Sequence, residues 1–233
     1  MNTGYMDARE YILTTMYDMV GEFHDAFGMT RDCDMEETDG LLDFRHSLVM
    51  EELTETIEAY NKNDQIEIAD GLCDILYVCF GATHHYGMYS VSIFDSKRIV
   101  NITQGQRNGV TTYHTLRELR QTLTGTQDSV RHFMNVVNQL VDHIYNQHIR
   151  DNDPYNVFHN FLRVHESNMS KLCTTQDEVE STQRKYKGEG IETEAVPVED
   201  GLTAVKRKSD GKVLKNINWQ EPKIVTGHDP FPF

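Results

Sequence analysis

The 233-residue chain has no proline before residue 154; all five prolines (Pro154, Pro197, Pro222, Pro230 and Pro232) follow it. Proline breaks helix interiors, so this stretch permits long helices without proving them. The four cysteines, Cys33, Cys73, Cys79 and Cys173, include no C-x-x-C pair. That spacing excludes a zinc ribbon or a thioredoxin-like site, and we read reduced thiols, two of them on a buried helix face. No apolar run approaches the roughly 20 residues that span a bilayer. The N-terminus lacks a basic segment followed by an apolar one, so we expect a cytoplasmic protein, host-cytoplasmic if phage-encoded.

Positive charge is scarce in one region only. Residues 1–80 hold four bases against nineteen acids, whereas the remainder holds eighteen of each, so the entire net charge of −15 sits in the first third. Such a surface repels a phosphate backbone and excludes direct duplex nucleic-acid binding. An anionic ligand there requires a cationic bridge.

Apolar spacing predicts an all-α fold. A helix over 7–27 carries Tyr11, Val20, Phe23 and Phe27; one over 39–61 carries Leu41, Leu48, Leu53 and Ile57; one over 64–87 carries Ile68, Leu72, Ile75, Leu76 and Phe80. Residues 88–110 read as loop or short strand, followed by helices over 112–124 and 127–150. Pro154 opens a further helix to Met169, and 177–188 adds a short polar one. The stretch from Thr203 to Lys215 reads as a β-hairpin turning at Asp210-Gly211, with an extended arm to the C-terminus.

The second helix carries Glu51, Glu52 and Glu55, and the third carries Glu67, Asp70 and Asp74. Residues three or four apart share a helix face, so each helix presents an acid cluster. On the third helix those acids are interleaved with apolar residues, and only Arg45 and Lys62 supply positive charge on either helix. Carboxylates crowded beside an apolar seam must be protonated, paired or metal-bound. Mg²⁺ or Mn²⁺ relieves the repulsion; solvated helix faces are the alternative from spacing alone.

The runs HSLVMEELTETIEAY and ADGLCDILYVCFG resemble the E-E-x-x-E and D-x-x-x-D-[IL]-L-Y-V pattern of the all-α nucleoside triphosphate pyrophosphohydrolases, the MazG-like and phosphoribosyl-ATP pyrophosphohydrolase-like superfamily. Val20–Gly28, Val164–Lys171 (VHESNMSK) and Asp210–Lys215 (DGKVLK) are similar to segments of a phage-rich branch. The resemblance covers residues 5–87 and 157–224, within one domain spanning 1–233. Residues 88–156 are then a helical insertion, and 203–233 a C-terminal hairpin and arm. The insertion's stripe of Phe133, Val136, Val137, Leu140, Val141 and Ile144 needs a packing partner, in its own subunit, across a subunit interface, or as a lid.

The resemblance implies metal-dependent conversion of a nucleoside triphosphate, a purine such as dGTP, to monophosphate and pyrophosphate. It implies metal ligands Glu52, Glu55, Asp70 and Asp74, with Glu51 accepting a proton and Glu67-x-x-Asp70 as an alternative pairing to Asp70 with Asp74. The family's acid three residues before Asp74 is replaced here by Gly71. Asn168, Ser170, Lys171, Lys212 and Lys215 are implied to meet the nucleotide. A homodimer or homotetramer is expected. The alternatives are a phosphoribosyl-ATP pyrophosphohydrolase and a noncatalytic helical scaffold. His24 reads as a packed helical histidine rather than a base contact, and the adjacent His84 and His85 point to different faces.

Overall fold

The structure, a computed structural model, describes residues 7–29, 40–87, 109–126, 129–150 and 154–227. The loop expected after residue 87, Cys33 and the arm beyond Gly227 lie outside them. The described chain is mostly helical: α1 (Ala8–Ala26), α2 (Leu41–Lys62), α3 (Gln65–His85), α4 (Gly109–Leu123), α5 (Val130–His148), α6 (Val157–Met169) and α7 (Gln176–Gly188), followed by strands β1 (Thr193–Pro197) and β2 (Thr203–Arg207).

Local chemistry sets the ends. The Asp7, Asp64 and Ser129 side chains accept backbone N–H groups at the starts of α1, α3 and α5, and Thr175 with Glu178 forms a capping box on α7. Between α2 and α3 the chain turns at Asn63, in the left-handed region with φ 55°. Only Asp64 separates that turn from α3, so the two acid-bearing helices lie side by side.

Helix α3 is apolar on nearly every side, and the fold wraps it. Ile68, Ala69, Leu72, Cys73, Ile75, Leu76, Cys79 and Phe80 are each at most 1% exposed, and α1, α2, α5 and α6 pack around them. Each large side chain buried this way stabilises the fold by roughly 1.5–3 kcal/mol. The apolar stripe of α5 faces α3 and α4 of the same chain: Phe133, Val136, Val137, Leu140, Val141 and Ile144 are all buried. The partner that this stripe requires is therefore its own subunit. Arg9 on α1 pairs with Asp142 on α5 and lies 5.1 Å from the Tyr145 ring centroid, fastening the insertion to the first helix.

Two expectations change. Pro154 lies in a turn, and α6 starts three residues later, after Asn156 adopts φ 48°. The hairpin is real but shifted: β2 pairs antiparallel with β1, Ala195 opposite Val205, instead of with 212–215. The Asp210-Gly211 turn does form, yet the residues after it contribute only a single bridge, Lys206 to Val213. They are drawn away because the chain from Leu214 to Val225 is tied to α6 and α7. Asn216 Nδ2 donates to the Ser170 and Leu172 carbonyls, Ser167 Oγ donates to the Gln220 carbonyl, and Asn160 bonds Val225 through both its amide atoms. Among the described residues no helix is long and apolar enough to cross a membrane.

Candidate active site

Because α2 and α3 run side by side, their acid-bearing faces open onto one cavity of about 340 Å³, closed by α1, α6 and the segment 212–222. Close approach of the helices requires Gly71: a Cβ there would stand 2.3 Å from Thr56 Oγ1. That contact accounts for the departure from the family pattern. Position 71 faces the helix–helix seam, and the acids entering the cavity are Asp70 and Asp74 with Glu52 and Glu55.

The electrostatics of this group are strained. Burial, and then the charges of Glu55 and Glu51, push the Glu52 carboxyl up to about 7, against the pull of Lys212. Burial followed by Glu67 raises Asp70 to about 6. Asp74 stands well above the usual carboxylate range, through burial and then Glu52 and Asp70, with Lys171 opposing. The Lys171 ammonium is pushed down to about 8 by burial, with Asp74 holding it up and Lys215 and Lys212 pressing it further down. Its Nζ donates to Asn168 Oδ1. Lys212 and Lys215 complete a cationic rim on the same cavity.

Asp70 Oδ1 is buried and has no hydrogen-bond partner. Among the described residues no three such side chains are already drawn into a metal-binding cluster. The donor set is nonetheless all oxygen and crowded, with Asp70 Oδ1 unpartnered, which fits a hard divalent cation such as Mg²⁺ or Mn²⁺. Glu52, Glu55, Asp70 and Asp74 are the residues able to hold one.

A sequence model of the phosphoribosyl-ATP pyrophosphohydrolase family matches residues 20–97, the span containing α2, α3 and all four cavity acids. Over that span the chain is similar to this family. An uncharacterized protein of Acanthamoeba polyphaga mimivirus is 26% identical over 236 residues, covering 90% of this chain and 94% of its own. No solved structure matches.

Around the four cavity acids the structure also gathers Asn168, Lys171, Lys212 and Lys215. Three expected participants stand apart from the cavity lining. Glu51 is exposed and turned outward, accepting from Lys212 Nζ at 3.1 Å through both oxygens, because adjacent residues on a helix diverge by about 100°. Glu67, in the first turn of α3, is exposed. Ser170 is engaged structurally: its Oγ donates to the Ser167 carbonyl and accepts from the Gln220 N–H, tying down the C-terminal segment.

Other lining residues were not singled out in the sequence. Tyr77, Ser167, Trp219 and Arg45 all line the cavity. Trp219 is the sole tryptophan, Lys215 Nζ lies 3.6 Å from its ring centroid, and its buried Nε1 has no hydrogen-bond partner. The signal for Tyr77 was its place three residues after Asp74, on the same helix face. His24, read as packing, is 1% exposed and also reaches the cavity wall. His84 and His85 do diverge: His84 Nε2 bonds the Tyr17 carbonyl, while His85 Nδ1 bonds Arg45.

Proposed function

We propose that the protein is a divalent-metal-dependent nucleoside triphosphate pyrophosphohydrolase that acts on a purine nucleotide such as dGTP. Water adds to phosphorus, the bridging P–O bond between the α- and β-phosphates breaks, and the monophosphate and pyrophosphate leave. The observation carrying this reading is the convergence of Glu52, Glu55, Asp70 and Asp74 with Lys171 in one cavity. Mg²⁺ or Mn²⁺ held by those acids supplies electrophilic activation of the phosphates and of water.

The chain's own groups divide the remaining work. Lys171, Lys212 and Lys215 meet phosphate oxygens as point charges. Asn168, held by Lys171, orients the sugar or the phosphate chain through its amide. Half-buried Glu52 faces the cavity where Glu51 does not, and a carboxylate oxygen of it left free by the metal would accept the proton released by water. Glu51 instead holds Lys212 at the rim. Assembly as a homodimer or homotetramer is part of this reading and is measured by light scattering.

The test is pyrophosphate release from a panel of ribo- and deoxynucleoside triphosphates, with phosphoribosyl-ATP included, in Mg²⁺, Mn²⁺ and excess chelator. Glu55→Ala and Asp74→Ala should lower turnover by at least about a hundredfold while retaining helical circular dichroism. Undiminished release in chelator would overturn the metal reading. Release from phosphoribosyl-ATP alone would assign the histidine-biosynthetic reaction, and no release from any substrate would favour a noncatalytic scaffold.

A further inference from the structure

Two helices bring different chemistry to the cavity: α3 carries Asp70 and Asp74, whereas the end of α6 carries Asn168 and then Lys171. Tyr77 stands where the two meet. It follows Asp74 by three residues on the same face of α3 and lines the cavity. Its hydroxyl lies 3.1 Å from Nδ1 of His165, which precedes Asn168 by three residues on α6. The Tyr77 ring is held in place, with Phe23 edge-on at 5.6 Å between centroids and Phe161 at 5.5 Å. On the far side of His165, its Nε2 lies 3.3 Å from Oε2 of Glu22 on α1.

Counting donors and acceptors gives these contacts one direction. A carboxylate only accepts, so His165 Nε2 carries the proton and donates to Glu22. Burial lowers the His165 pKa below its ordinary value, against the pull of Glu22, so the ring is mostly neutral at pH 7 and Nδ1 is left as an acceptor. The Tyr77 hydroxyl therefore donates to Nδ1, and its oxygen is left to accept. Burial raises the Tyr77 pKa, and a hydrogen bond from the Asn168 side chain opposes that rise; the donor on Asn168 is its Nδ2 amide. The other end of that amide, Oδ1, accepts from Lys171 Nζ. Lys171, Asn168, Tyr77, His165 and Glu22 thus form one directed series, which allows the Asn168 amide a single orientation.

We infer that Tyr77 and His165 are positioning residues: anchored by Glu22, they set the Asn168 amide, and through it the Lys171 ammonium, against the acids of α3 for contact with the triphosphate. This rests on the pyrophosphohydrolase reading and adds the residues that register α6 against α3.

Three variants of the full chain test it. Tyr77→Phe removes the hydroxyl and keeps the ring, His165→Leu removes the acceptor, and His165→Asn restores one, because asparagine Oδ1 takes the place of Nδ1. With Mg²⁺, Tyr77→Phe and His165→Leu should each raise KM for the best triphosphate about threefold to tenfold with kcat within about twofold, the range expected for one hydrogen bond. His165→Asn should recover most of that loss. Nitrogen NMR of His165 at pH 7 should show Nδ1 unprotonated and Nε2 protonated, with the Nδ1 resonance moving in Tyr77→Phe. Should His165→Leu fail to fold, Tyr77→Phe and the His165 tautomer decide. Unchanged KM in Tyr77→Phe, equal losses in His165→Asn and His165→Leu, or the opposite tautomer would overturn the inference, and a lowered melting temperature alone would make the series a structural tie between helices. Calorimetry with a non-hydrolysable α,β-imido triphosphate separates this from the hydrolase reading. The same pattern of weakening and recovery in Kd, without pyrophosphate release from any substrate, would sink hydrolysis and uphold the positioning role; no binding of any triphosphate would remove both.

Discussion

Gly71 and Thr56 meet where α2 crosses α3, so closely that a Cβ on the glycine would overlap the threonine side chain, with Oγ1 at 2.3 Å and Cβ at 3.1 Å. Thr56 Oγ1 cannot turn away freely because it donates to the Glu52 carbonyl one turn earlier. The spacing of the four acids across the two helices therefore depends on one missing methyl group. Gly71→Ala should cost about 1–3 kcal/mol through overpacking, lowering the melting temperature by several degrees. Thr56→Ala in the same chain should recover part of that loss in a double-mutant cycle; additive effects would show that the contact does not limit helix approach.

Glu52 and Asp70 have folded-state pKa values above their ordinary ones, near 7 and 6, and Asp74 is shifted in the same direction. The folded state therefore binds more protons than the unfolded state between about pH 4 and 7, and the stability these groups contribute declines as pH rises through that window. In chelator, the melting temperature should fall from pH 5 to 7.5, and Glu52→Gln should flatten the slope. Adding Mg²⁺ at pH 7.5 should raise the melting temperature and release protons. An unchanged slope in Glu52→Gln would mean that the acid cluster is not under strain.

The Lys212–Glu51 pair is substantially exposed, 36% and 45% by side chain, and an ion pair of that kind contributes about 0–1 kcal/mol. Lys212→Ala should leave the melting temperature nearly unchanged while raising KM for the best triphosphate several-fold. A large loss of stability with unaltered KM would assign Lys212 to structure alone.

Asn160 is fully buried. Its Nδ2 donates to the Tyr155 and Val225 carbonyls and its Oδ1 accepts from the Val225 N–H. Asn160→Ala strands those backbone groups and should cost about 1–3 kcal/mol. Because the same strap carries Trp219 to the cavity, the variant should also shift the tryptophan emission spectrum. Stability lost without a spectral change would separate the strap from the pocket.

The helices were legible wherever apolar spacing and a capping side chain agreed. For α3 the sequence spacing runs 64–87 and the helix Gln65–His85, and the acids of α2 and α3 were readable because spacing of three and four is a local property. What escaped depended on distant partners. Strand β1, with the sequence TEAVP, carries two adjacent polar residues, shows no clean alternation and ends in proline, so nothing within it identifies β2 as its mate. Arg45 and Trp219 lie 174 residues apart and share a cavity only after folding, and Ser170 looked like a ligand residue because its motif neighbours Asn168 and Lys171 do line the cavity, while its hydroxyl is spent on Gln220.

The central position of α3 also governs how the chain matures as it leaves the ribosome. Residues 65–85 emerge before α5 and α6, two of the helices that cover them, so their apolar faces must wait for another eighty residues of synthesis. During that interval the nascent chain offers an uncovered hydrophobic rod, the kind of surface that chaperones engage and that aggregates when truncated. The span matched to the family, 20–97, is in this sense not a detachable unit: cut out at its borders it would expose the sides of α3 that Phe133, Val137 and Phe161 keep dry.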